Sequence, residues 1–331
     1  MKILILGGTR FLGRHIVEAA LAQGHEVTLF NRGTTNPDLF LQVEKLVGNR
    51  DGGLSALKGR RWDVAVDTCG YVPRLVRASV EQLATSVEHY TFISSISVYA
   101  DTTTYGIDES AELLTLADET VEEVTGQTYG GLKVLCENAA EEVMPGRVLH
   151  VRSGLIVGPH DPTDRFTYWP VRVAMGGEIL APAGPEMAVQ VIDARDQAAW
   201  IIRMAEARKA GVYNVTGPDY PLTMGKLLET CLDVSGSQAS LTWVTDEFLL
   251  EHDVTPYTEL PLWIPHTYNG MQAVKVQKAL DAGLSFRPLA DTVRDTLAWN
   301  AQRTGDATGL KLNAGMLQDR EAALLDAWKR R

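Results

Sequence analysis

Cysteine is scarce in this chain of 331 residues, which contains only Cys69, Cys136 and Cys231, far apart in the sequence. None of them belongs to a Cys-X-X-Cys motif, and no pair of histidines has the spacing of metal ligands. The sequence therefore predicts neither a disulfide framework nor a metal site. Free thiols are typical of a reducing compartment, so we expect a cytoplasmic protein.

Long hydrophobic runs and an excess of positive charge are also absent. The first apolar run, at residues 3–6, is too short for a signal peptide, and no run approaches the roughly 20 residues of a membrane span. Lys and Arg total 31 against 42 Asp and Glu, and this formal net charge of -11 repels RNA and acidic membranes. We therefore expect a small-molecule substrate, with neither nucleic acid nor a membrane as partner.

What the chain does contain is a regular alternation of short apolar runs and amphipathic segments, with 45% hydrophobic residues in all. The predicted strands are 3–6, 26–30, 63–67, 90–94 and 148–157, and the predicted helices are 15–23, 74–86 and 129–143. Such an alternation predicts an α/β fold, a Rossmann-type doubly wound parallel sheet. Segments 189–192 and 211–215, with a helix at 195–207 between them, are expected to return to this sheet.

Proline and glycine interrupt the pattern after about residue 160. We therefore predict a nucleotide-binding domain at 1–160 plus about 187–216. A smaller, mixed C-terminal region at 161–186 and 217–300 is expected to bind substrate, and its last helix is predicted near 289–299. Residues 301–331 are predicted to form a helical tail that packs on the protein or on a second copy of it.

The segment GGTRFLG at residues 7–13 lies between the first predicted strand and a helix. Glycines let the backbone approach a pyrophosphate, and free N–H groups at a helix N-terminus favour anions. The cofactor-binding candidates in this turn are Gly7, Thr9, Arg10, Phe11, Leu12 and Gly13. The alternative is an ordinary strand-to-helix turn in which the glycines serve geometry alone.

The end of the second predicted strand bears on which nicotinamide cofactor is used. An acidic residue there binds a free ribose 2′-hydroxyl, whereas an arginine accommodates a 2′-phosphate. Here the strand ends in Asn31 and Arg32, and Arg10 adds a second guanidinium. NADP(H) is therefore favoured, with NAD(H) as the alternative cofactor and a solvated loop arginine as the alternative for Arg32.

Tyr129 is followed four residues later by Lys133 on a predicted helix, so the two side chains share one face. A nearby cation lowers the pKa of a phenol, which makes the tyrosine a usable acid and base for a carbonyl or alcohol oxygen. The pattern is common by chance, and its weight comes from the residues around it.

The chain resembles the extended short-chain dehydrogenase/reductases of the NAD(P)-dependent epimerase/dehydratase family along nearly its whole length. The matching motifs are GGTRFLG, SSISVY at 94–99, YGGLK at 129–133, RSGLIVGP at 152–159, QVIDARD at 190–196 and FRPLADTVRDTLAW at 286–299. The resemblance implies that Ser95 polarises the substrate oxygen, Tyr129 is the acid and base, and Lys133 binds the nicotinamide ribose. A homodimer is expected from the same resemblance.

The resemblance also extends the cofactor site beyond the glycine turn. Asn49 matches a residue that binds adenine, and the loop at 69–71 matches one beside the adenosine ribose and phosphates. The further cofactor-binding candidates are Asn49, Arg50, Cys69, Gly70, Tyr71, Ser94 and Ser153. For Ser94, as for Ser97, the alternative is a hydroxyl that caps the end of a strand.

Departures from the family pattern narrow the activity. The middle glycine of the turn is Arg10, and Ile96 and Ser97 stand where the sugar-nucleotide dehydratases have an Asp-Glu pair. Ser97 also cannot replace the thiolate of the 3,5-epimerases. Leu155 stands where nucleotide-sugar epimerases carry an asparagine that grips the sugar diphosphate, which weakens that assignment.

The predicted substrate-binding residues are Ser97, Arg165, Tyr168, Trp169 and Arg172. Aromatic rings and arginines there suit a ring and an anion, while the alternative places the rings in the core and the arginines in solvent. The leading interpretation is an NADP(H)-dependent oxidoreductase acting on a sugar-like or natural-product carbonyl or alcohol. Its alternatives are a nucleotide-sugar 4-epimerase with retained cofactor and a non-catalytic, RNA-associated relative.

Overall fold

A seven-stranded parallel sheet forms the centre of the protein in this computed structural model, which describes residues 1–303 and 312–331. Its order is β3-β2-β1-β4-β5-β6-β10. The strands of this sheet are β1 (Lys2–Leu6), β2 (Glu26–Asn31), β3 (Glu44–Val47), β4 (Val64–Asp67), β5 (His89–Ser95), β6 (Val148–Ser153) and β10 (Gly211–Val215). Every neighbouring pair is parallel, so the carboxyl ends of all seven strands meet at one edge.

Helices cover both faces of this sheet because its strands are apolar on both sides. The helices are α1 (Phe11–Ala22), α2 (Pro73–Leu83), α3 (Tyr129–Val143), α4 (Tyr168–Ala174), α5 (Ala194–Glu206), α6 (Met224–Ser235), α7 (Asp246–Glu251), α8 (Gln277–Asp281), α9 (Leu289–Asn300) and α10 (Gln318–Lys329). Helices α1 and α5 pack together on one face, and α2 and α3 on the other. The sheet and these four helices position the strand ends.

A second core lies in the C-terminal part of the chain. Two short parallel pairs belong to it: β8 (Glu178–Pro182) with β11 (Ser240–Val244), and β7 (Leu155–Val157) with β9 (Val191–Asp193). Helices α4 and α6 pack on each other, and Trp169 and Trp263 are fully buried among them. Helix α10 is tied to this core because Glu321 accepts hydrogen bonds from Arg172 Nε at 2.7 Å and from the Leu180 amide at 3.0 Å.

The predicted Rossmann-type α/β fold is confirmed, with four local differences. Strand β3 was not predicted, and α1 begins at Phe11 rather than at residue 15. The single strand predicted at 148–157 is two strands, and β9 pairs with β7 instead of joining the main sheet. Of the predicted tail, residues 304–311 lie outside the described residues, and α10 packs on the protein. Within 1–303 and 312–331, no helix has the length and apolar character needed to cross a membrane.

Candidate active site

A cleft of about 1170 Å³ lies at the carboxyl ends of the central strands. Its wall contains the turn after β1, the end of β2, the loop after β4, the end of β5 and the first turn of α3. This is the edge at which open α/β sheets bind ligands. Within the described part of the chain, no group of three or more His, Cys, Asp or Glu residues is arranged to hold a metal ion.

The glycine turn forms one end of the cleft. Gly7 and Gly8 have φ of +106° and +89°, values that side-chain-bearing residues rarely adopt. A Cβ on Gly13 would lie 2.9 Å from the backbone nitrogen of Gly8, so the helix packs directly on the turn. The turn is supported from β2, since Asn31 Nδ2 donates to the Gly7 carbonyl at 3.0 Å.

The first turn of α1 has free backbone donors and no competing acid. Arg10 occupies the N-cap position without a side-chain cap, and no acidic residue lies in the first helical turn. Helix starts of this kind stabilise bound anions. Asn31 supports the turn and also lines the cleft, and the cofactor contact predicted for it stays a prediction.

Arg10 and Arg32 both line the cleft at this end. Both side chains are exposed. Neither forms a salt bridge to any residue in 1–303 or 312–331, so both guanidinium groups are available to an anion. No acidic side chain follows β2 at the cleft wall, in agreement with the strand end Asn31-Arg32.

Ser95, Tyr129 and Lys133 come together in the middle of the cleft. Ser95 is the last residue of β5, and Tyr129 is the first residue of α3. The start of α3 touches the turn after β5 through backbone, because a Cβ on Gly130 would lie 2.1 Å from the Ser97 carbonyl oxygen. The glycine after Tyr129 thus allows the helix start to approach the strand end.

The Ser95 hydroxyl is oriented by its neighbour Ser97. Ser95 Oγ donates to Ser97 Oγ at 3.0 Å and accepts from the Ser97 amide at 3.1 Å. Ser97 therefore combines the two roles considered from sequence, since it stabilises the strand end and also lines the cleft.

Lys133 is almost completely buried, with 4% of its surface exposed. Its Nζ donates to the carbonyl oxygens of Gly70 at 2.7 Å and Ile93 at 2.8 Å, and it lies 4.6 Å from the centre of the Tyr71 ring. Burial lowers the pKa of Lys133 to about 8. Gly70 is thus behind the cleft wall and acts through its carbonyl, while Tyr71 covers the ammonium group.

The pKa of Tyr129 differs from the sequence-based expectation. Burial raises this pKa above its ordinary value, and the nearby Ser95 hydroxyl and the charge of Arg165 oppose the rise. The sequence predicts a pKa lowered by Lys133, but Lys133 Nζ lies 5.9 Å from the ring centre and donates to two carbonyl groups. Tyr129 is accordingly protonated at neutral pH and able to donate a proton.

Asp67 is a residue that the sequence reasoning missed. Its carboxylate is fully buried at the end of β4 and accepts two hydrogen bonds from Arg50, at 2.8 and 2.6 Å. Tyr90 Oη and the Cys69 amide donate to the same carboxylate at 2.7 and 3.1 Å. The sequence signal that could have identified it is an acidic residue at the end of the apolar segment DVAVD, residues 63–67.

This pairing corrects the role predicted for Arg50. Both of its Nη atoms donate to Asp67, and its Nε donates to Ser79 Oγ at 3.1 Å. The guanidinium therefore has a structural role, linking the end of β4 to α2. Asn49 lines the cleft beside it. Burial raises the pKa of the neighbouring Cys69 thiol to about 11, which leaves it protonated.

Two further serines predicted to bind cofactor line the cleft. Ser94 Oγ is buried and has no hydrogen-bond partner within the described residues. Ser153 Oγ accepts a hydrogen bond from Gln197 Nε2 at 2.6 Å, which leaves its own proton to donate. Buried hydroxyls without a partner are uncommon, so Ser94 is consistent with a polar ligand group in the cleft.

The structure corrects three of the predicted substrate-binding residues. Tyr168 and Trp169 are 4% and 0% exposed in the C-terminal core, and the Trp169 indole donates to the Pro261 carbonyl at 2.8 Å. Arg172 is paired with Glu321 in the same core. The alternative of core packing therefore holds for these aromatic rings, while Arg165 and Ser97 line the cleft.

Comparisons of sequence relate the chain to known proteins. Residues 3–49 match the family model of the NAD dependent epimerase/dehydratase family. The chain is 25% identical over 258 residues to the chloroplast stem-loop binding protein of 41 kDa b from Arabidopsis thaliana, covering 71% of this chain and 63% of that protein. It is 41% identical over 58 residues, 18% of each chain, to the bifunctional pinoresinol-lariciresinol reductase of Forsythia intermedia. The chain thus spans less than two thirds of the length of either relative.

Solved structures share the fold over nearly the whole chain. The UDP-glucuronic acid 4-epimerase of Bacillus cereus in complex with NAD has a TM-score of 0.66 at 14% identity, covering 91% of this chain and 99% of that one. A human epimerase family protein with NADPH has a TM-score of 0.60 at 18% identity, covering 90% and 99%. These findings confirm the predicted resemblance.

Proposed function

Since this chain has the fold of the extended short-chain dehydrogenase/reductases and the glycine turn of the epimerase/dehydratase family, we propose that it is an NADP(H)-dependent oxidoreductase. It interconverts a carbonyl and an alcohol on a small sugar-like or natural-product molecule. The observation that carries this proposal is the convergence of Ser95, Tyr129 and Lys133 in one cleft beside the glycine turn.

A dinucleotide fits the residues present. The turn at Gly7 and Gly13 has no room for side chains and presents the first turn of α1 to a pyrophosphate. The buried Ser94 hydroxyl, which has no partner among residues 1–303 and 312–331, also lines the cleft. Arg10 and Arg32 suit a 2′-phosphate, which favours NADP(H) over NAD(H). The proteins of similar fold include complexes with NAD and with NADPH, so the fold allows either cofactor. When bound, the cofactor supplies or accepts the hydride.

The protein residues then handle the oxygen and its proton. In the reductive direction the raised pKa of Tyr129 keeps its phenol protonated, so it donates a proton to the oxygen of the substrate. Ser95 turns its proton from Ser97 Oγ to that oxygen and fixes its position, while the Ser97 amide continues to hold Ser95 Oγ. Lys133 would hold the ribose side of the cofactor with the N–H that its bonds to the Gly70 and Ile93 carbonyls leave free.

The test is a titration of the purified protein with NADPH and NADH, with the dinucleotide that co-purifies identified by mass spectrometry. We expect tighter binding of NADPH, and a loss of about 10- to 100-fold of this preference when Arg10 and Arg32 are both replaced by glutamine. Arg77→Gln is the matched control, since Arg77 pairs with the exposed Glu142 away from the cleft. A preference for NADH in the unmodified protein would refute the roles of both arginines.

A 4-epimerase that retains its cofactor is the alternative enzyme. Tyr129 and Ser95 serve both reactions, and Leu155 in place of the family asparagine speaks against a nucleotide sugar. Net consumption of NADPH separates the two. A protein that converts its substrate without using added NADPH would overturn the reductase proposal, and Tyr129→Phe is expected to abolish either reaction.

RNA binding without catalysis is a candidate of another class, favoured by the likeness to the chloroplast stem-loop binding protein. The net charge of -11 opposes it because RNA binding depends on neutralising phosphates. We expect no shift of a structured RNA in a gel at physiological salt. Specific binding of that RNA, unchanged by Tyr129→Phe, would establish this candidate instead.

A further inference from the structure

The cleft is basic although the whole chain is acidic, with a net charge of -11. The charged residues described in its wall are Arg10, Arg32, Arg50, Lys133, Arg165 and Asp161. Arg50 is neutralised by a buried carboxylate, and Lys133 is held by backbone carbonyl groups. Arg10 and Arg32 belong to the glycine turn and the end of β2. Arg165 is therefore a separate positive charge, contributed by the C-terminal part of the chain.

Arg165 is held in place by uncharged contacts. Its Nε donates to Thr163 Oγ1 at 3.2 Å, and that hydroxyl in turn donates to Asp161 at 2.8 Å. Its guanidinium carbon lies 5.0 Å from the centre of the Tyr257 ring, a stacking that leaves the planar edge free. Asp161 is 1% exposed and also accepts from the Thr163 amide at 2.8 Å.

These contacts leave the terminal nitrogens of Arg165 uncommitted. Among residues 1–303 and 312–331, no carboxylate forms a salt bridge with Arg165, and its hydrogen bonds there use Nε and the backbone amide. A guanidinium with both terminal NH₂ groups free binds a carboxylate or phosphate with two parallel hydrogen bonds. The positive charge also acts on the reacting centre, since Arg165 is one of the groups that oppose the rise in the pKa of Tyr129.

We propose that Arg165 binds an anionic group of the substrate, a carboxylate or a phosphate monoester, and thereby holds the reacting carbon beside Ser95 and Tyr129. This inference rests on the proposed function and specifies its substrate class. The cleft wall also includes Leu155, Ile264 and Met271, which offer apolar surface to the uncharged part of the molecule. A single guanidinium matches one compact anionic group.

The experiment measures anion binding to the NADPH-loaded protein by calorimetry, because saturating NADPH occupies the arginines of the glycine turn. The probes are malonate, inorganic phosphate and the neutral malonamide. We expect an anion to bind and malonamide not to bind. Arg165→Gln is expected to weaken anion binding about 10- to 100-fold, and Thr163→Val to weaken it by less, since it removes only the support of Nε.

Arg294→Gln is the matched control, because Arg294 is 58% exposed on α9 and is not part of the cleft wall. Its anion affinity should equal that of the unmodified protein. Tighter binding of malonate than of phosphate identifies a carboxylate, and the reverse order a phosphate.

Absence of anion binding, or equal binding by the unmodified protein and Arg165→Gln, would overturn the inference. Failure of NADPH to bind refutes the proposed function instead, and comparison of the two proteins without NADPH then still tests Arg165.

Discussion

The buried pair of Arg50 and Asp67 provides the most demanding test of the site geometry. Replacing Asp67 with Asn keeps the shape of the side chain but removes the charge and turns an NH₂ group toward one of the donors that now meet the carboxylate. Arg50, whose side chain is 11% exposed, then carries an uncompensated charge. Breaking one side of a buried pair costs about 3–5 kcal/mol, against a total stability of about 5–15 kcal/mol.

Denaturant unfolding at neutral pH measures this loss, with Asp51→Asn as the matched control. Asp51 also pairs with an arginine, Arg74, but both side chains are more than half exposed, so its midpoint should not change. Asp67→Asn is also expected to weaken NADPH binding, because Asp67 accepts from the Cys69 amide and so fixes the loop whose Gly70 carbonyl holds Lys133.

The stabilisation that Asp67 contributes must also depend on pH in a defined direction. Burial opposes ionisation of Asp67, but Arg50 outweighs it, and the pKa of Asp67 is lowered in the folded protein. The stabilisation is therefore complete above the unfolded-state pKa of about 4 and is lost as pH falls through the lowered folded-state pKa. Equal unfolding midpoints for Asp67→Asn and Asp51→Asn would refute this reasoning. It would also be refuted if the difference in midpoint between the unmodified protein and Asp67→Asn grew as the pH falls.

Three further outcomes follow from the structure. Gly13→Ala places a Cβ 2.9 Å from the Gly8 nitrogen, so we expect a loss of about 1–3 kcal/mol in denaturant unfolding and a loss of NADPH binding in titration. The pKa of Lys133, lowered to about 8 by burial, predicts that stability rises between about pH 8 and the unfolded value of about 10.4, and that Lys133→Met shows no such rise. Glu321→Ala leaves Arg172 unpaired, so unfolding should become easier by about 3 kcal/mol while NADPH affinity, measured in the same titration, stays unchanged.

Elements whose residues interact locally were well predicted from the sequence. Helix α3 begins and ends where its pattern predicts, and the glycine turn follows β1 as expected, because spacing along the chain determines both. Strand β3 escaped prediction because it is a four-residue edge strand, Glu44–Val47, in which charged residues mask the apolar pattern. Such short strands are recognised by their neighbours in the sheet rather than by their own sequence.

The direction of individual side chains was less predictable because distant segments decide it. Trp169 and Arg172 were assigned to the substrate, yet a carbonyl at Pro261 and a carboxylate at Glu321 hold them in the second core. Arg50 was assigned to the cofactor, although Asp67, distant in sequence, pairs with it. Motifs therefore located the cleft, while partners far along the chain determined which polar groups are free within it.

The contact between Gly130 and the Ser97 carbonyl has a consequence for how this protein can diversify. Backbone, not side chains, sets the separation between the start of α3, where Tyr129 lies, and the turn that directly follows Ser95. The loops and the C-terminal segment that supply Arg165 can consequently accumulate substitutions without disturbing that spacing. Under the proposed function, a change of substrate would therefore require no change in the spacing of Ser95 and Tyr129.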